Sequence, residues 1–334
     1  MKKSLFVLGV AVAALSSCTQ SEVLEVAEGR AIQFNTFVNN NTKAVTEITA
    51  GSYSGTYYLF GENGETNGNY GTLVFNNDPN TATAWWQPNK KYIFGAYANG
   101  TGGGQIADAK FSATDGTLNF PQYEPNDAND LIAAIATHTT DDNVADEVAV
   151  SLNFKHMLSQ VKFTFQTKAA NGYKVTISDL KITGAWNKAD GSYNGTATWT
   201  NGVEGEYDFG SIEDVADGTM TAEGYYEKSV DYKLVIPQDL SSNNVKVAFT
   251  ASVDGLGYEA ATDNKNFEVV LNFGGAIPDA STNKWMPQYR YNYIAEIDVT
   301  KLTEEEDYVI EFTPEVEDWA DASDTDNGII NPTE

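Results

Sequence analysis

The sequence predicts an all-β protein made of β-sandwich domains, and three observations lead to that prediction. Apolar and polar residues alternate with a period of two along most of the chain, as in strands that bury one face. No stretch of ten or more residues shows a convincing 3.6-residue period. The 334 residues include 18 Tyr, 16 Phe and 28 Gly, a mixture typical of short strands joined by many turns.

The first eighteen residues predict an export signal and a lipid anchor. Lys2 and Lys3 open a signal peptide over residues 1–17, whose apolar stretch is too short to span a bilayer as a mature helix. The stretch ends in Leu-Ser-Ser-Cys, which resembles a bacterial lipobox, so we expect Cys18 to be acylated, for example with palmitate. An ordinary secretory signal with an incidental Cys, or a buried free thiol, is the alternative. Residues 18–30 then form a polar tether.

From residue 31 onward the alternation predicts one strand after another. In chain order, the alternating sets are Ile32, Phe34, Thr36 and Val38; Tyr92, Phe94 and Ala96; Val150, Leu152 and Phe154; Val161, Phe163 and Phe165; Val175, Ile177, Leu180 and Ile182; Val245, Val247, Phe249, Ala251 and Val253; Phe267, Val269, Leu271 and Phe273; Tyr289, Tyr291, Tyr293, Ala295, Ile297 and Val299; and Ile310, Phe312 and Val316. Residues 130–137 fit either a strand or one helical turn. More than ten strands with polar turns are typical of β-sandwiches.

The length after the tether predicts two sandwiches, because about 290 residues exceed what one sandwich usually needs. The polar segment 138–148 is the most linker-like stretch near the midpoint. We therefore expect an N-terminal β-sandwich over residues 31–147 and a C-terminal β-sandwich over residues 148–320. Residues 321–334 form an acidic tail.

Charge and composition exclude several classes of function. The formal charge of −27 at pH 7 argues against nucleic-acid binding, since phosphate neutralisation needs a basic surface. One Cys excludes a disulfide framework and a cysteine-based zinc site. The acidic run 321–328 fails the EF-hand spacing, so no metal site and no cofactor are expected.

The two histidines offer little material for catalysis. His156 lies among Phe154, Met157 and Leu158, which favours a core histidine bonded to backbone, and His138 falls in the polar linker. The chain has no Gly-x-Ser-x-Gly elbow and no His-x-x-x-His pair. We therefore expect a protein that is not an enzyme.

Six segments resemble the fimbrillin family of Bacteroidia, the subunits of lipoprotein-derived pili. Each match is loose, but the segments follow the family's order across nearly the whole chain. Besides the lipobox at Cys18, they are residues 32–44, 129–133, 154–161, 236–238, 285–293 and 315–319.

This resemblance implies a fold, a location and a processing step. It implies two tandem transthyretin-like, Greek-key β-sandwiches, display at the cell outer membrane through a lipid anchor, and assembly with other fimbrial subunits into a fimbria. It also implies cleavage by a trypsin-like protease between Lys43 and Ala44. Many members carry Arg before the cut, so Arg30–Ala31 is the second choice.

Assembly by donor-strand exchange follows as a hypothesis. Residues 31–43 would be a removable first strand that buries Ile32, Phe34 and Val38 until cleavage at Lys43. A strand from the next subunit would replace it. The predicted donor residues are Ile310, Phe312, Val316, Ile329 and Ile330. The protein would then be a structural or adhesive pilus subunit, with stem, tip and anchor positions all open and a host or bacterial surface ligand as a further partner.

A monomeric outer-membrane lipoprotein that binds glycans is the alternative function. It is suggested by aromatic residues that could stack on sugar faces: Tyr57, Tyr58, Trp85, Trp86, Trp186 and Trp199. Three exposed rings in a flat cluster would favour this alternative. A detachable first strand beside an apolar groove would favour the pilus subunit.

Overall fold

The computed structural model describes residues 30–38, 51–100, 104–168, 172–271, 283–304 and 307–319. Nearly all regular structure in these residues is β, as predicted. The strands are β1 Phe34–Val38, β2 Gly51–Ser52, β3 Tyr58–Glu65, β4 Tyr70–Pro79, β5 Lys90–Asn99, β6 Lys110–Ser112, β7 Thr117–Tyr123, β8 Leu131–Thr139, β9 Val150–His156, β10 Ser159–Thr167, β11 Lys174–Tyr193, β12 Ala197–Ile212, β13 Thr219–Met220, β14 Tyr226–Ser229, β15 Lys233–Val235, β16 Lys246–Asp254, β17 Asn264–Val270, β18 Tyr289–Glu296 and β19 Phe312–Asp318. Short 3₁₀ turns cover Val144–Asp146 and Val215–Asp217, and helix α1 covers Val299–Glu304.

The first sheet has seven strands in the order β2-β1-β9-β8-β5-β3-β4. Its neighbouring strands are antiparallel except for β1 and β9, which are parallel. The ring of Phe34 on β1 packs edge-on against Phe75 on β4 and Phe94 on β5, with centroids 6.0 and 5.2 Å apart. These contacts require the sheet to curl. Strands near opposite ends of one sheet therefore enclose the first apolar core.

Two six-stranded sheets form the second sandwich. One has the order β13-β14-β10-β18-β19 with β15 beside β10, and the other has the order β17-β16-β11-β7-β6 with β12 beside β11. Their inner faces meet in a large aromatic core, where Phe165 of β10 contacts Phe249 of β16 at 5.1 Å between ring centroids. The structure is thus an all-β sandwich fold.

Strand β11 pairs with strands from both halves of the chain, which are the described residues before and after position 148. It pairs with β16 through residues 174–183 and with β7 through residues 189–193. Strands β6 and β7 precede residue 148, whereas β9 follows it and pairs with β1 and β8. Strand pairing therefore crosses the predicted boundary in both directions, and the division into residues 31–147 and 148–320 stays a prediction.

Three local expectations gain detail from the structure. The undecided segment 130–137 lies mostly in strand β8, which runs on to Thr139, so the predicted linker begins inside a strand. The longest predicted strand stops at Glu296, and Val299 begins α1 instead. The Asp298 carboxylate accepts hydrogen bonds from the backbone N–H groups of Thr300 and Lys301, which caps that helix. No described helix has the length and apolar character to cross a membrane.

Candidate functional site

Strand β1 lies near the free end of the seven-stranded sheet. On its inner side it pairs with β9 over five positions, from Phe34 beside Val150 to Val38 beside Phe154. On its outer side the described residues pair at two positions, both with the two-residue strand β2. β1 is therefore held mainly by one neighbour, β9, along its length.

The residues of β1 alternate between core and solvent, as the sequence predicts. Ile32 and Val38 are buried in the first core, and Phe34 is half-buried against it. Phe37 faces outward with 45% of its side chain exposed. Displacing β1 would thus uncover a strip of apolar surface, chiefly the rings of Phe75 and Phe94.

Polar contacts fasten the flanks of β1 to the sheet. The Ile32 N–H donates to the Ala84 carbonyl at 2.9 Å, and the Val150 N–H donates to the Gln33 carbonyl at 2.8 Å. The Thr36 hydroxyl donates to the carbonyl of Tyr53 at 2.7 Å. Burial raises the pKa of Tyr53 to about 12, with the nearby Asp130 charge as a further cause. The strand is well anchored while the chain is intact.

The two predicted cleavage points differ in what a cut would release. Lys43 and Ala44 lie outside the described residues, as does Cys18. Arg30 is exposed, and Ala31 forms an isolated β-bridge with Trp85. A cut at Arg30–Ala31 would leave β1 joined to β2 through residues 39–50. A cut at Lys43–Ala44 would instead separate β1 from the rest of the fold.

The described part of the predicted donor is folded into its own subunit. β19 pairs with β18 over seven positions, and Ile310 is buried in the second core. The ring of Phe312 contacts that of Phe163 with centroids 5.5 Å apart, and Val316 packs against the same core. Ile329 and Ile330 lie outside the described residues.

Just after β19, the Trp319 side chain closes a buried polar cluster. Its ring stacks on His156 with centroids 4.0 Å apart, and both side chains are about 1% exposed. The Nδ1 atom of His156 lies 2.7 Å from Oδ2 of Asp130, the separation of an ion pair. The prediction that His156 bonds to backbone is therefore wrong, because its Nδ1 atom faces the carboxylate of Asp130, the residue just before β8.

The other histidine also has partners that linear sequence did not reveal. His138 lies in β8, where its Nε2 contacts the carboxylate of Glu147. Its ring lies 4.6 Å from the ring of Trp86. His138 is thus part of the packed sheet rather than of a polar linker. Within the described ranges, no three His, Cys, Asp or Glu side chains converge as metal ligands would.

The six aromatic residues of the glycan hypothesis do not form a flat exposed cluster. Trp85 is 58% exposed, but its neighbour Trp86 is buried in the first core. Tyr57 and Trp199 are buried as well, and the Trp199 Nε1–H donates to the Met157 carbonyl at 2.8 Å. Tyr58 and Trp186 are half-buried. One exposed ring does not supply the platform that this alternative requires.

Residues from both halves of the chain line a cleft of about 560 Å³, and no sequence pattern indicates it. Four separate stretches build it: the turn before β8, strand β10 at Gln160, the end of β12, and the segment that runs from the end of β14 into β15. Its lining residues are Asp127, Asp130, Gln160, Asp208, Phe209, Ser211, Ile212, Glu213, Lys228, Ser229, Val230, Asp231, Tyr232, Lys233 and Leu234. These residues are up to about a hundred positions apart, so no local spacing could have revealed the cleft.

Comparison with known proteins gives one match in sequence and several in structure. A profile described as fimbrillin-like matches residues 25–319. A candidate cell adhesion protein of Bacteroides eggerthii is 15% identical, with 87% of this chain and 96% of that chain covered and a TM-score of 0.49. The fimbrial anchor protein Mfa2 of Porphyromonas gingivalis is 11% identical, with coverages of 85% and 97% and a TM-score of 0.36. No curated protein matches the sequence.

Proposed function

Because the chain belongs to the fimbrillin-like family, we propose that it is a structural or adhesive subunit of a cell-surface fimbria. The subunit is exported as a lipoprotein anchored through Cys18 to the outer membrane. A trypsin-like protease then cuts it at Lys43–Ala44, and donor-strand exchange joins it to other fimbrial subunits. It works without catalysis.

The placement of β1 is the observation that supports this assembly route most strongly. Burial of Ile32, Phe34 and Val38 contributes about 1.5–3 kcal/mol each as an upper estimate. While β1 is tethered on both sides, its high effective concentration keeps it in place. Once the chain is cut at Lys43, β1 is held by non-covalent contacts alone. It then competes with any other strand that fits the same edge.

Loss of β1 creates a template for a second chain. The edge of β9 from Val150 to Phe154 loses its hydrogen-bonding neighbour, and the apolar strip over Phe75 and Phe94 opens. An exposed edge beside an apolar strip favours addition of an extended segment, with main-chain bonds giving affinity and alternate side chains giving register.

The packing of β19 narrows the choice of donor within the C-terminal region. Withdrawing Ile310, Phe312 and Val316 would open the second core of the donating subunit, so these residues are poor donors. Ile329 and Ile330 follow Trp319, where the described fold ends, and their transfer leaves β19 in place. We therefore favour the segment 320–334 as the donor.

Limited trypsin treatment of the purified precursor tests the proposal. A heat-sensitive ladder on gels is expected for the wild type and for Arg30→Ala, since a cut after Arg30 does not free β1. Lys43→Ala should abolish the ladder, and deletion of residues 320–334 should hold the product at monomers or dimers. Lys110→Ala, which removes an exposed lysine on β6, serves as the matched control.

Two outcomes of that experiment would contradict the proposal. A ladder from Lys43→Ala as strong as that of the wild type would exclude cleavage-triggered assembly at this bond. Loss of the ladder in Arg30→Ala alone would move the cleavage point to Arg30. The lipid anchor has a separate test: Cys18→Ser should remove labelling by a fatty-acid probe, and unchanged labelling would exclude acylation at that residue.

A further inference from the structure

The cleft lined by residues of both halves has the chemistry of a site for an organic cation. Five carboxylates and two lysines line it. Lys233 already pairs with Asp127 at 2.6 Å, and the Lys228 ammonium donates to the Glu213 backbone carbonyl at 3.0 Å. Asp208 and Asp231 are exposed, and no described cation forms an ion pair with either. The uncompensated charge of the lining is therefore negative.

One carboxylate of the lining is buried. Asp130 lines the cleft, yet is only 1% exposed. Its Oδ2 atom lies 2.7 Å from Nδ1 of His156, whereas its Oδ1 atom has no hydrogen-bond partner among the described residues. A buried carboxylate short of donors favours a ligand that brings N–H groups and positive charge.

Part of the lining is apolar. Phe209, Ile212 and Leu234 are nearly buried while lining the cleft. A cation with a hydrocarbon stem matches this arrangement, because the stem covers the walls and the charged head reaches the carboxylate. A bare metal ion does not match, since no three ligating groups converge in the described residues.

Stacking of a sugar ring is less favourable here. The Tyr232 ring already has the Lys162 ammonium 4.8 Å and the Arg290 guanidinium 5.5 Å from its centroid. The Lys233 ammonium lies 5.7 Å from the centroid of Phe209. Both aromatic rings of the cleft thus face cations of the same chain.

Two of the strands that line the cleft, β12 and β15, each have a single partner strand among the described residues. Within the described residues, β12 pairs with β11 and β15 pairs with β10, each along one edge only. An extended polypeptide could bond to such an edge while directing one side chain inward. We infer that the cleft binds a lysine or arginine side chain presented by an extended segment of a partner protein. This inference does not depend on cleavage at Lys43 or on release of β1.

Fluorescence anisotropy with the uncut full chain tests it. The probe is a fluorescein-labelled pentapeptide of threonine and valine with one central lysine, and the comparison peptide carries norleucine in place of lysine. We expect the lysine peptide to bind at least about tenfold more tightly, since a charge-assisted hydrogen bond contributes about 1.5–3 kcal/mol. Binding should weaken between roughly 0.05 and 0.5 M salt.

Substitutions of the acidic lining residues test whether the peptide binds in this cleft. Asp208→Asn and Asp231→Asn should each weaken binding about two- to fivefold without unfolding the protein, because both side chains are exposed. Asp130→Asn should weaken it more strongly. Asp142→Asn, an exposed acid outside the cleft, is the matched control and should bind like the wild type.

Several results would overturn the inference. No binding to the wild type at millimolar peptide would do so, as would equal binding of the lysine and norleucine peptides. Unchanged affinity in both Asp208→Asn and Asp231→Asn would place any binding elsewhere. If spermidine binds as tightly as the lysine peptide, the cleft takes a free amine and the assignment to a polypeptide is wrong.

Discussion

Strands β1 and β19 lie near the two ends of the described chain, yet they are attached in different ways. β1 pairs in parallel with one long neighbour, and its Phe34 ring is half-buried. β19 pairs antiparallel with β18 over seven positions, its Phe312 ring contacts four other aromatic rings, and Trp319 closes the strand's end. The strand that we propose is exchanged, β1, and the strand β19 thus differ in what they cover.

The two strands also differ in how much of a core their removal would uncover. Removing β1 would uncover the apolar strip over Phe75 and Phe94, while the first-core residues on the other strands would still pack against one another. Removing β19 would uncover the aromatic centre of the second core and separate Trp319 from His156. We therefore expect substitutions near β19 to lower the free energy of unfolding more than those in β1.

The largest effect is expected for Trp319→Ala. The change removes a fully buried ring from its stack on His156 and should lower the free energy of unfolding by about 3–5 kcal/mol. Urea denaturation followed by circular dichroism measures it. Trp85→Ala, which truncates an exposed ring, should cost less than about 0.5 kcal/mol. Equal losses in the two variants would show that the end of β19 is not secured by Trp319.

A slightly smaller effect is expected for Phe312→Ala. The ring is partly buried against Phe163, Phe165 and Phe249, so its loss should cost about 2–4 kcal/mol in the same denaturation experiment. Because no residue of β1 belongs to the second core, cleavage at Lys43 should leave this loss of unfolding free energy unchanged. If Phe312→Ala no longer lowers the free energy of unfolding after cleavage, the packing of β19 depends on the presence of β1.

Phe34→Ala should have a moderate effect that depends on cleavage. In the uncut chain we expect a loss of about 1–3 kcal/mol, since the half-buried ring contacts Phe75 and Phe94. After cleavage at Lys43 the same change should speed release of β1, measured by gel filtration of the cut protein. Phe37→Ala, on the outward face of β1, is the control and should release at the wild-type rate. If Phe34→Ala and Phe37→Ala release β1 at the same rate, the assignment of Phe34 to the inward face of β1 is wrong.

The smallest expected effect concerns alkaline pH in the first core. Burial raises the pKa of Tyr57 to about 12, so its neutral form stabilises the fold below pH 10 and that contribution is lost as the pH rises through 12. In Tyr57→Phe the fall in stability between pH 9 and pH 11 should be smaller by about 1 kcal/mol. Urea midpoints at the two pH values measure the change. An unchanged fall would mean that folding does not raise the pKa of Tyr57.

The sequence alone indicated most strands, because alternation reports directly on which face is buried. The sets beginning at Ile32, Val150 and Val245 all lie in described strands or directly beside them. Within the set Val175, Ile177, Leu180 and Ile182, the period of two is interrupted between Ile177 and Leu180. In the structure a bulge with Asp179 at φ +53° resets the alternation, so all four residues belong to the single strand β11.

The partner of each strand and the clusters of distant side chains could not be predicted from alternation. Nothing near β1 indicates its parallel partner β9, which lies more than a hundred residues further along the chain. The Asp130–His156–Trp319 cluster and the cleft likewise join distant segments. Local patterns encode which face of a strand is buried, whereas the choice of neighbour depends on the packing of the whole fold.

The length of β11 determines how the molecule bears mechanical tension. One end of the strand is bonded to β16 and the other to β7, so a force that draws β7 and β16 apart along the strand direction passes through β11. The ladder bonds at both ends of β11 are then loaded in shear, and the four paired positions between β11 and β7 must break before β7 can part from it. A fibre of such subunits would transmit drag from flowing liquid through continuous backbone instead of stretching at a hinge within each subunit.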